Sequence, residues 1–167
     1  DQTLAFGWNN ENKIEFQKLY LKKILMETTP NKNAIDTINY LKNNHHTIFL
    51  ITARSDYEIS GMYELTKKWL LKNQINYDKL FVNSNDKLSI CKDNDIDIFI
   101  DDNVDICSNI FKNSKINVVL YTTRYNKNIK TSFKRVFNWQ QILLYVKKIE
   151  KERNMKKELK YIDVEQR

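Results

Sequence analysis

The chain has few of the residues that mark several common protein classes. Its 167 residues include two cysteines, two glycines and one proline, and no uninterrupted apolar run long enough to span a membrane. The absence of a glycine-rich phosphate loop argues against a P-loop nucleotide kinase. Cys91 and Cys107 lack metal-ligand spacing, which favours reduced, buried thiols in a cytoplasmic protein. With no apolar span and no signal-peptide pattern, we expect a soluble protein without a membrane partner.

The charge balance is basic, but its pattern is not that of a nucleic-acid-binding protein. The net charge of +7 comes from 28 basic and 21 acidic residues. The lysines are scattered through asparagine-rich stretches, they do not alternate with aromatics on one strand face, and no nucleic-acid-binding signature is present. We therefore expect no nucleic-acid partner, whereas a small anionic substrate is compatible with this charge.

Helical and strand patterns alternate along a chain whose length corresponds to about one domain. Hydrophobic periodicity predicts helices over 11–27, 31–44, 58–73, 86–93, 104–112 and from 138 onwards, and strands over 47–51, 80–82, 97–101 and 116–121. This alternation predicts an α/β fold with a parallel sheet. Residues 1–150 would form the core, and the charge-rich residues 151–167 a helical C-terminal extension.

The most informative segment is residues 96–103, an apolar run that ends on Asp101 and Asp102. The run is typical of a buried strand, and ligands of open α/β sheets bind at the carboxyl ends of the strands. Two adjacent carboxylates repel each other unless a cation neutralises them, and Mg²⁺ prefers such oxygen ligands. The alternative is a structural role, in which Asp102 or Asn103 caps a helix that begins near Val104.

A second apolar run, residues 47–51, ends on Thr52, Ala53, Arg54 and Ser55 before a helical pattern resumes. A hydroxyl, a guanidinium and backbone N–H groups at a strand end, with a helix dipole behind them, are suited to binding phosphate. Helix capping by Thr52 or Ser55 is the alternative.

Lys87 opens the predicted helix 86–93, where its charge opposes the positive pole of the helix dipole. A nearby anion would compensate for this. The candidates are a bound phosphate and the adjacent Asp86.

Thr52, Lys87 and the Asp101–Asp102 pair, in this order, resemble the second, third and fourth motifs of the haloacid dehalogenase superfamily of phosphotransferases. Residues 121–126 and 135–139 are further similar to the C-terminal part of its deoxyribonucleotidase-like branch, which also includes type C nucleotidases. The resemblance covers roughly residues 45–145. It implies a Rossmann-like three-layer sandwich with a central parallel sheet and a small helical cap, here residues 5–30.

The resemblance also implies an activity and residue roles. The activity is Mg²⁺-dependent hydrolysis of a nucleotide or another small phosphomonoester through an aspartyl-phosphate. Thr52 and Lys87 would contact the phosphoryl group, together with Ala53. Asp101 and Asp102 would help to hold Mg²⁺, with Asp102 favoured as the direct ligand. Further phosphate or substrate contacts would come from Arg54 and Arg124.

The first motif of that superfamily is matched only in part. The chain begins Asp1-Gln2-Thr3-Leu4, so that Asp1 corresponds to the acid/base and metal-binding aspartate, with Gln2 at the usual glycine position. The nucleophilic aspartate and its strand would then precede Asp1. The alternative is a non-catalytic protein of the same fold that binds a ligand or partner.

Overall fold

The computed structural model describes residue 7 and residues 9–54 and 60–165. In these residues, parallel strands alternate with helices. The predicted α/β class is confirmed in these residues, because every strand pairing is parallel. The chain divides into two compact units, Asp1–Asp86 and Lys87–Arg167. No helix in the described part of the chain is long and apolar enough to cross a membrane.

In its described residues, the first unit contains three helices and a two-stranded sheet. In chain order its elements are α1 (Asn10–Glu27), α2 (Ala34–Asn43), β1 (Phe49–Ile51), α3 (Met62–Lys72) and β2 (Lys79–Phe81). Strands β1 and β2 pair in parallel with Leu50 opposite Leu80. The loops that follow the two strands therefore leave the sheet at the same edge.

Helix α1 occupies most of the predicted cap segment 5–30. It begins after Asn9, whose side chain accepts a hydrogen bond from the Asn12 amide at 2.8 Å. Its C-terminal end is tied to α3 by two side chains. Trp69 Nε1 donates to the Thr28 carbonyl at 2.7 Å, and Lys72 Nζ donates to the Met26 carbonyl at 2.8 Å. Helix α1 is thus part of the packing of the first unit.

Two predicted helices begin later than the periodicity suggested. Helix α2 begins at Ala34 instead of residue 31, because Asn33 adopts a left-handed backbone with φ of 63°. Helix α3 begins at Met62 instead of residue 58, and Gly61 before it has φ of 78°. Left-handed backbone does not continue a right-handed helix, so each helix starts at the next residue.

Within residues 87–165, the second unit contains three helices and a three-stranded parallel sheet in the order β3-β4-β5. In chain order its elements are α4 (Lys87–Asp93), β3 (Ile98–Asp101), α5 (Val104–Asn113), β4 (Asn117–Tyr121), β5 (Lys134–Val136) and α6 (Trp139–Glu165). Strand β4 lies in the middle, and its residues Val118, Val119 and Leu120 are at most 3% exposed. Asp101 pairs with Leu120 at the last position of the β3–β4 ladder, so the predicted metal-binding pair lies at the carboxyl edge.

Strand β5 was not predicted, because two of its three residues, Lys134 and Arg135, are charged and interrupt any apolar pattern. Only Val136 is fully buried. Helix α6 continues into the predicted C-terminal extension as far as Glu165. An ion pair of 2.5 Å between Arg153 and Asp97 ties this helix to the residue before β3.

Candidate active site

Lys87 and Asp101 come together at the carboxyl edge of the second sheet. Lys87 is the first residue of α4 and Asp101 is the last residue of β3. Lys87 Nζ lies 2.6 Å from Asp101 Oδ2, and each side chain is only 11% exposed. A carboxylate 14 residues further along the chain therefore compensates for the lysine at the start of α4.

The second carboxylate oxygen of Asp101 is also bound within the protein. Asp101 Oδ1 accepts a hydrogen bond from the Asn103 amide at 2.8 Å. Both oxygens of Asp101 are thus engaged, one by an ammonium group and the other by a backbone amide. Asp101 is held in a single orientation, and its charge is shared with Lys87.

Asn103 caps helix α5, which settles the alternative role that the sequence left open. Its side-chain oxygen accepts from the amides of Asp105 and Ile106 at 2.9 and 3.1 Å. These are the N-terminal donors that a helix cap must satisfy. The alternative that Asp102 caps this helix is therefore wrong, and its carboxylate serves no capping role.

Asp102 is exposed, and its electrostatic surroundings disfavour the ionised form. Partial desolvation of the carboxyl group is the largest cause that raises its pKa above the ordinary value, and the neighbouring Asp101 charge raises it further. The Lys87 charge acts in the opposite direction. A cation bound at Asp102 would relieve this unfavourable charge.

The donors at this edge suit a hard cation that retains water ligands. No group of three or more histidine, cysteine, aspartate or glutamate side chains that could hold a metal comes together among the described residues. Because both oxygens of Asp101 are engaged, Asp102 offers the more accessible carboxylate. Mg²⁺ is commonly bound by one or two carboxylates, with water and substrate phosphate as its other ligands, so Asp102 fits such an ion. Asp1, the third predicted metal ligand, lies outside the described residues.

Thr52, Ala53 and Arg54 follow β1 in the first unit, and backbone hydrogen bonds join them to the loop after β2. The Thr52 amide donates to the Phe81 carbonyl at 2.9 Å, and the Ser84 amide donates to the Thr52 carbonyl at 3.0 Å. The Asn83 amide donates to the Arg54 carbonyl at 2.7 Å. Backbone hydrogen bonds therefore hold the loops after β1 and β2 together at one edge of the sheet.

Two polar groups in the loop after β1 are suited to binding an oxyanion. The Thr52 hydroxyl accepts from the Arg54 amide at 3.3 Å and keeps its own proton to donate. Ala53 is exposed, and its amide has no acceptor among the described residues. Helix α3 begins only at Met62, so its N-terminal end lies further along the chain from Thr52 than predicted. Ser55 lies outside the described residues.

Arg124 and Asn126 lie in the turn that follows β4. The Arg124 guanidinium stacks on the Tyr125 ring at 4.6 Å and donates a hydrogen bond to its hydroxyl. In this arrangement its described contacts are with Tyr125. Asn126 is only 3% exposed, and its side chain bonds to the Asp102 carbonyl. The sequence by itself indicates no role for Asn126, although this residue falls in the segment 121–126 that carries the family resemblance.

The two cysteines are buried thiols, as predicted. Both are 0% exposed. Desolvation is the main cause that raises the pKa of Cys91 to about 11 and that of Cys107 to about 12. Neutral thiols of this kind are poor nucleophiles and poor metal ligands. The chemistry at this edge therefore rests on oxygen and nitrogen groups.

Known proteins with similar sequences carry nucleotidase names, although no protein-family model matches the chain. A protein of Clostridium acetobutylicum named nucleotidase is 31% identical over 130 residues, which are 77% of this chain and 65% of that protein. YqfW of Bacillus subtilis, provisionally named a nucleotidase, is 27% identical over 143 residues, 84% of this chain and 67% of its own. A Bacillus cereus protein with the same provisional name is 27% identical over 149 residues, 86% of this chain and 75% of its own. The chain is thus a distant relative of proteins named nucleotidases, and it spans less than two thirds of the Clostridium protein.

Proposed function

We propose that the chain belongs to a Mg²⁺-dependent phosphomonoester hydrolase that acts on a nucleotide or a similar small phosphorylated metabolite. The observation that carries this proposal is the arrangement at the end of β3. A nearly buried Lys87–Asp101 ion pair lies beside the exposed Asp102 carboxylate. An ammonium group and a cation-binding carboxylate together suit a dianionic phosphoryl group.

Lys87 would neutralise the phosphoryl group. An ammonium group has three donors, and one of them is directed at Asp101. The other two would be available to a phosphoryl oxygen while the ion pair persists. Because Asp101 fixes the lysine, the ammonium group is already oriented when substrate arrives, which is what electrostatic stabilisation of a transition state requires.

Asp102 would be the direct protein ligand of Mg²⁺, and Asp101 would act mainly by holding Lys87. When bound, the ion stabilises negative charge on the transferring phosphoryl oxygens. The pKa of Asp102 is raised because its surroundings disfavour the ionised carboxylate, and a bound cation would stabilise that ionised form. Since a metal ligand must be deprotonated, Mg²⁺ affinity should fall as the pH is lowered towards this pKa.

The remaining roles follow the family resemblance. The Thr52 hydroxyl and the Ala53 amide would donate to the phosphoryl oxygens, with Arg54 and Arg124 as further contacts. A nucleophilic aspartate preceding Asp1 would form an O–P bond while the ester P–O bond breaks, and the leaving oxygen would take a proton from Asp1. Water would then release inorganic phosphate from the aspartyl-phosphate.

Phosphate release from nucleoside monophosphates and p-nitrophenyl phosphate tests the proposal, with Mg²⁺ and with a chelator. The protein should include any residues that precede Asp1 in the natural chain. Asp102→Asn should abolish Mg²⁺-dependent turnover. Lys87→Ala and Thr52→Ala should each lower kcat/KM by about 10- to 150-fold, corresponding to about 1.5–3 kcal/mol for a charge-assisted hydrogen bond.

Two matched controls each remove a nearby charge of the same sign. Asp105→Asn removes a carboxylate from the first turn of α5, and Lys92→Ala removes an ammonium group from the last turn of α4. Both controls should retain parental activity. Turnover that persists in Asp102→Asn would refute the metal assignment. Mg²⁺ binding without hydrolysis of any phosphomonoester would favour the alternative, a non-catalytic binding protein of the same fold.

A further inference from the structure

The side chain of Asn126 joins the ends of β3 and β4. Its Nδ2 group donates to the Asp102 carbonyl at 2.8 Å and to the Tyr121 carbonyl at 2.9 Å. The backbone ladder between these strands ends at the Asp101–Leu120 pair. Asp102 directly follows β3, and Tyr121 is the next residue of β4. Asn126 therefore extends the connection between the strands by one position, through a side chain.

The acceptor side of the Asn126 amide is also fully used. Its Oδ1 atom accepts from the Thr123 amide at 3.0 Å and from Arg135 Nη1 at 3.2 Å. An asparagine side chain offers two donor hydrogens and two acceptor lone pairs, and all four are satisfied here. Buried polar groups that are completely satisfied restrict the structure to one arrangement. The side chain of Asn126 is thus held by the rest of the protein as well as by its bond to Asp102.

Hydrogen bonds hold both polar groups of the peptide bond that follows Asp102. Its carbonyl accepts from Asn126, and the following amide, that of Asn103, donates to Asp101 Oδ1 at 2.8 Å. Asn103 is in turn fixed as the cap of α5. The exposed carboxylate of Asp102 therefore projects from a backbone segment whose following peptide bond is held in one orientation.

We propose that Asn126 is a positioning residue of the candidate cation site, which orients the Asp102 carboxylate towards Mg²⁺ by anchoring the Asp102 carbonyl. This inference rests on the proposed function, because it takes Asp102 as the metal ligand. Groups that orient a metal ligand from behind typically contribute 10- to 100-fold to metal affinity. Asn126 would thus set how well Asp102 binds the ion, without touching the ion or the substrate.

Calorimetric titration of the full chain with MgCl₂ tests this role directly. Asn126→Ala should bind Mg²⁺ at least about 10-fold more weakly than the parent. Asn117→Ala is the matched control, because Asn117 Nδ2 donates to the Asp97 carbonyl at 3.1 Å, just before the opposite end of β3. The control should bind Mg²⁺ like the parent. Equal Mg²⁺ affinity of folded Asn126→Ala and the parent would overturn the proposal.

A measurement on the unmodified chain covers the case in which Asn126→Ala does not fold. In solution NMR, the side-chain amide signals of Asn126 should shift during the Mg²⁺ titration and saturate with the calorimetric affinity, while those of Asn117 stay in place. Stationary Asn126 signals during Mg²⁺ binding would refute the coupling. A parent chain that binds no Mg²⁺ would also overturn the inference. A parent that binds Mg²⁺ with the expected loss in Asn126→Ala, yet hydrolyses no phosphomonoester, would refute only the proposed function.

Discussion

Breaking the Lys87–Asp101 ion pair should destabilise the second unit strongly. Lys87→Met removes the ammonium group but keeps much of the apolar stem, and it leaves the Asp101 carboxylate almost buried beside Asp102. Asp101→Asn removes the other charge and keeps the Oδ1 acceptor for the Asn103 amide. Together the two substitutions form a double-mutant cycle that isolates the interaction between the charges.

The expected magnitude follows from the separation and the burial of the two groups. At 2.6 Å, with an effective dielectric constant of about 20, the gross attraction of two unit charges is about 6 kcal/mol. Desolvation of both ions offsets much of this attraction. Removing one partner of a buried pair leaves the other uncompensated, which costs about 3–5 kcal/mol. Each side chain remains 11% exposed, so we expect about 3 kcal/mol for Lys87→Met, at the lower end of that range.

Urea unfolding followed by circular dichroism measures these free energies. The double variant should lose less stability than the two single variants combined, with a coupling energy of about 2 kcal/mol. The m-value should stay constant if the variants change stability and not the unfolded state.

An exposed ion pair in the same unit provides the control cycle. Lys148 and Glu152 lie 3.7 Å apart on α6, with side chains 68% and 50% exposed. Their coupling energy should not exceed about 0.5 kcal/mol. If the Lys87–Asp101 coupling energy is as small as that of the exposed pair, the two charges do not form a buried ion pair in solution, and Asp101 does not orient Lys87.

Two further predictions concern the segment next to this ion pair. Without Mg²⁺, Asp102→Asn should increase the free energy of unfolding at neutral pH, because folding raises the pKa of this carboxyl and its ionised form opposes the fold. The gain should disappear below about pH 4, where the parent carboxyl is also protonated in the unfolded chain; urea unfolding at both pH values checks it, and a gain that persists in acid would contradict this cause. Asn103→Ala should cost about 1 kcal/mol through loss of the α5 cap, and unchanged stability in the same assay would show that the cap is not needed.

The ends of the strands were well predicted because their signal is local. Apolar runs that stop at Thr52 and Asp101 mark the end of β1 and β3, and the structure ends these strands at Ile51 and Asp101. Burial of one stretch and solvation of the next is decided by neighbouring residues, so it is visible in the chain itself. The sequence alone therefore located the edge positions of the predicted site residues.

The starts of α2 and α3 and the short strand β5 were predicted less well. Left-handed backbone at Asn33 and Gly61 delays two helices, and single residues of this kind do not disturb hydrophobic periodicity. Strand β5 has two charged residues out of three, so its strand character depends on pairing with β4. Such elements are formed by tertiary contacts and carry little local preference.

The sequence by itself determined the α/β class, the buried thiols and the positions of Thr52, Lys87, Asp101 and Asp102 at element ends, since these follow from local patterns of apolar and polar residues. Only the tertiary structure decided which groups meet. It paired Lys87 with Asp101, assigned the cap to Asn103 and brought Asn126 to the Asp102 carbonyl across 24 residues. Hydrogen bonds and ion pairs act over about 3 Å between residues that are far apart in the chain. Their partners are therefore chosen by how the strands are brought side by side.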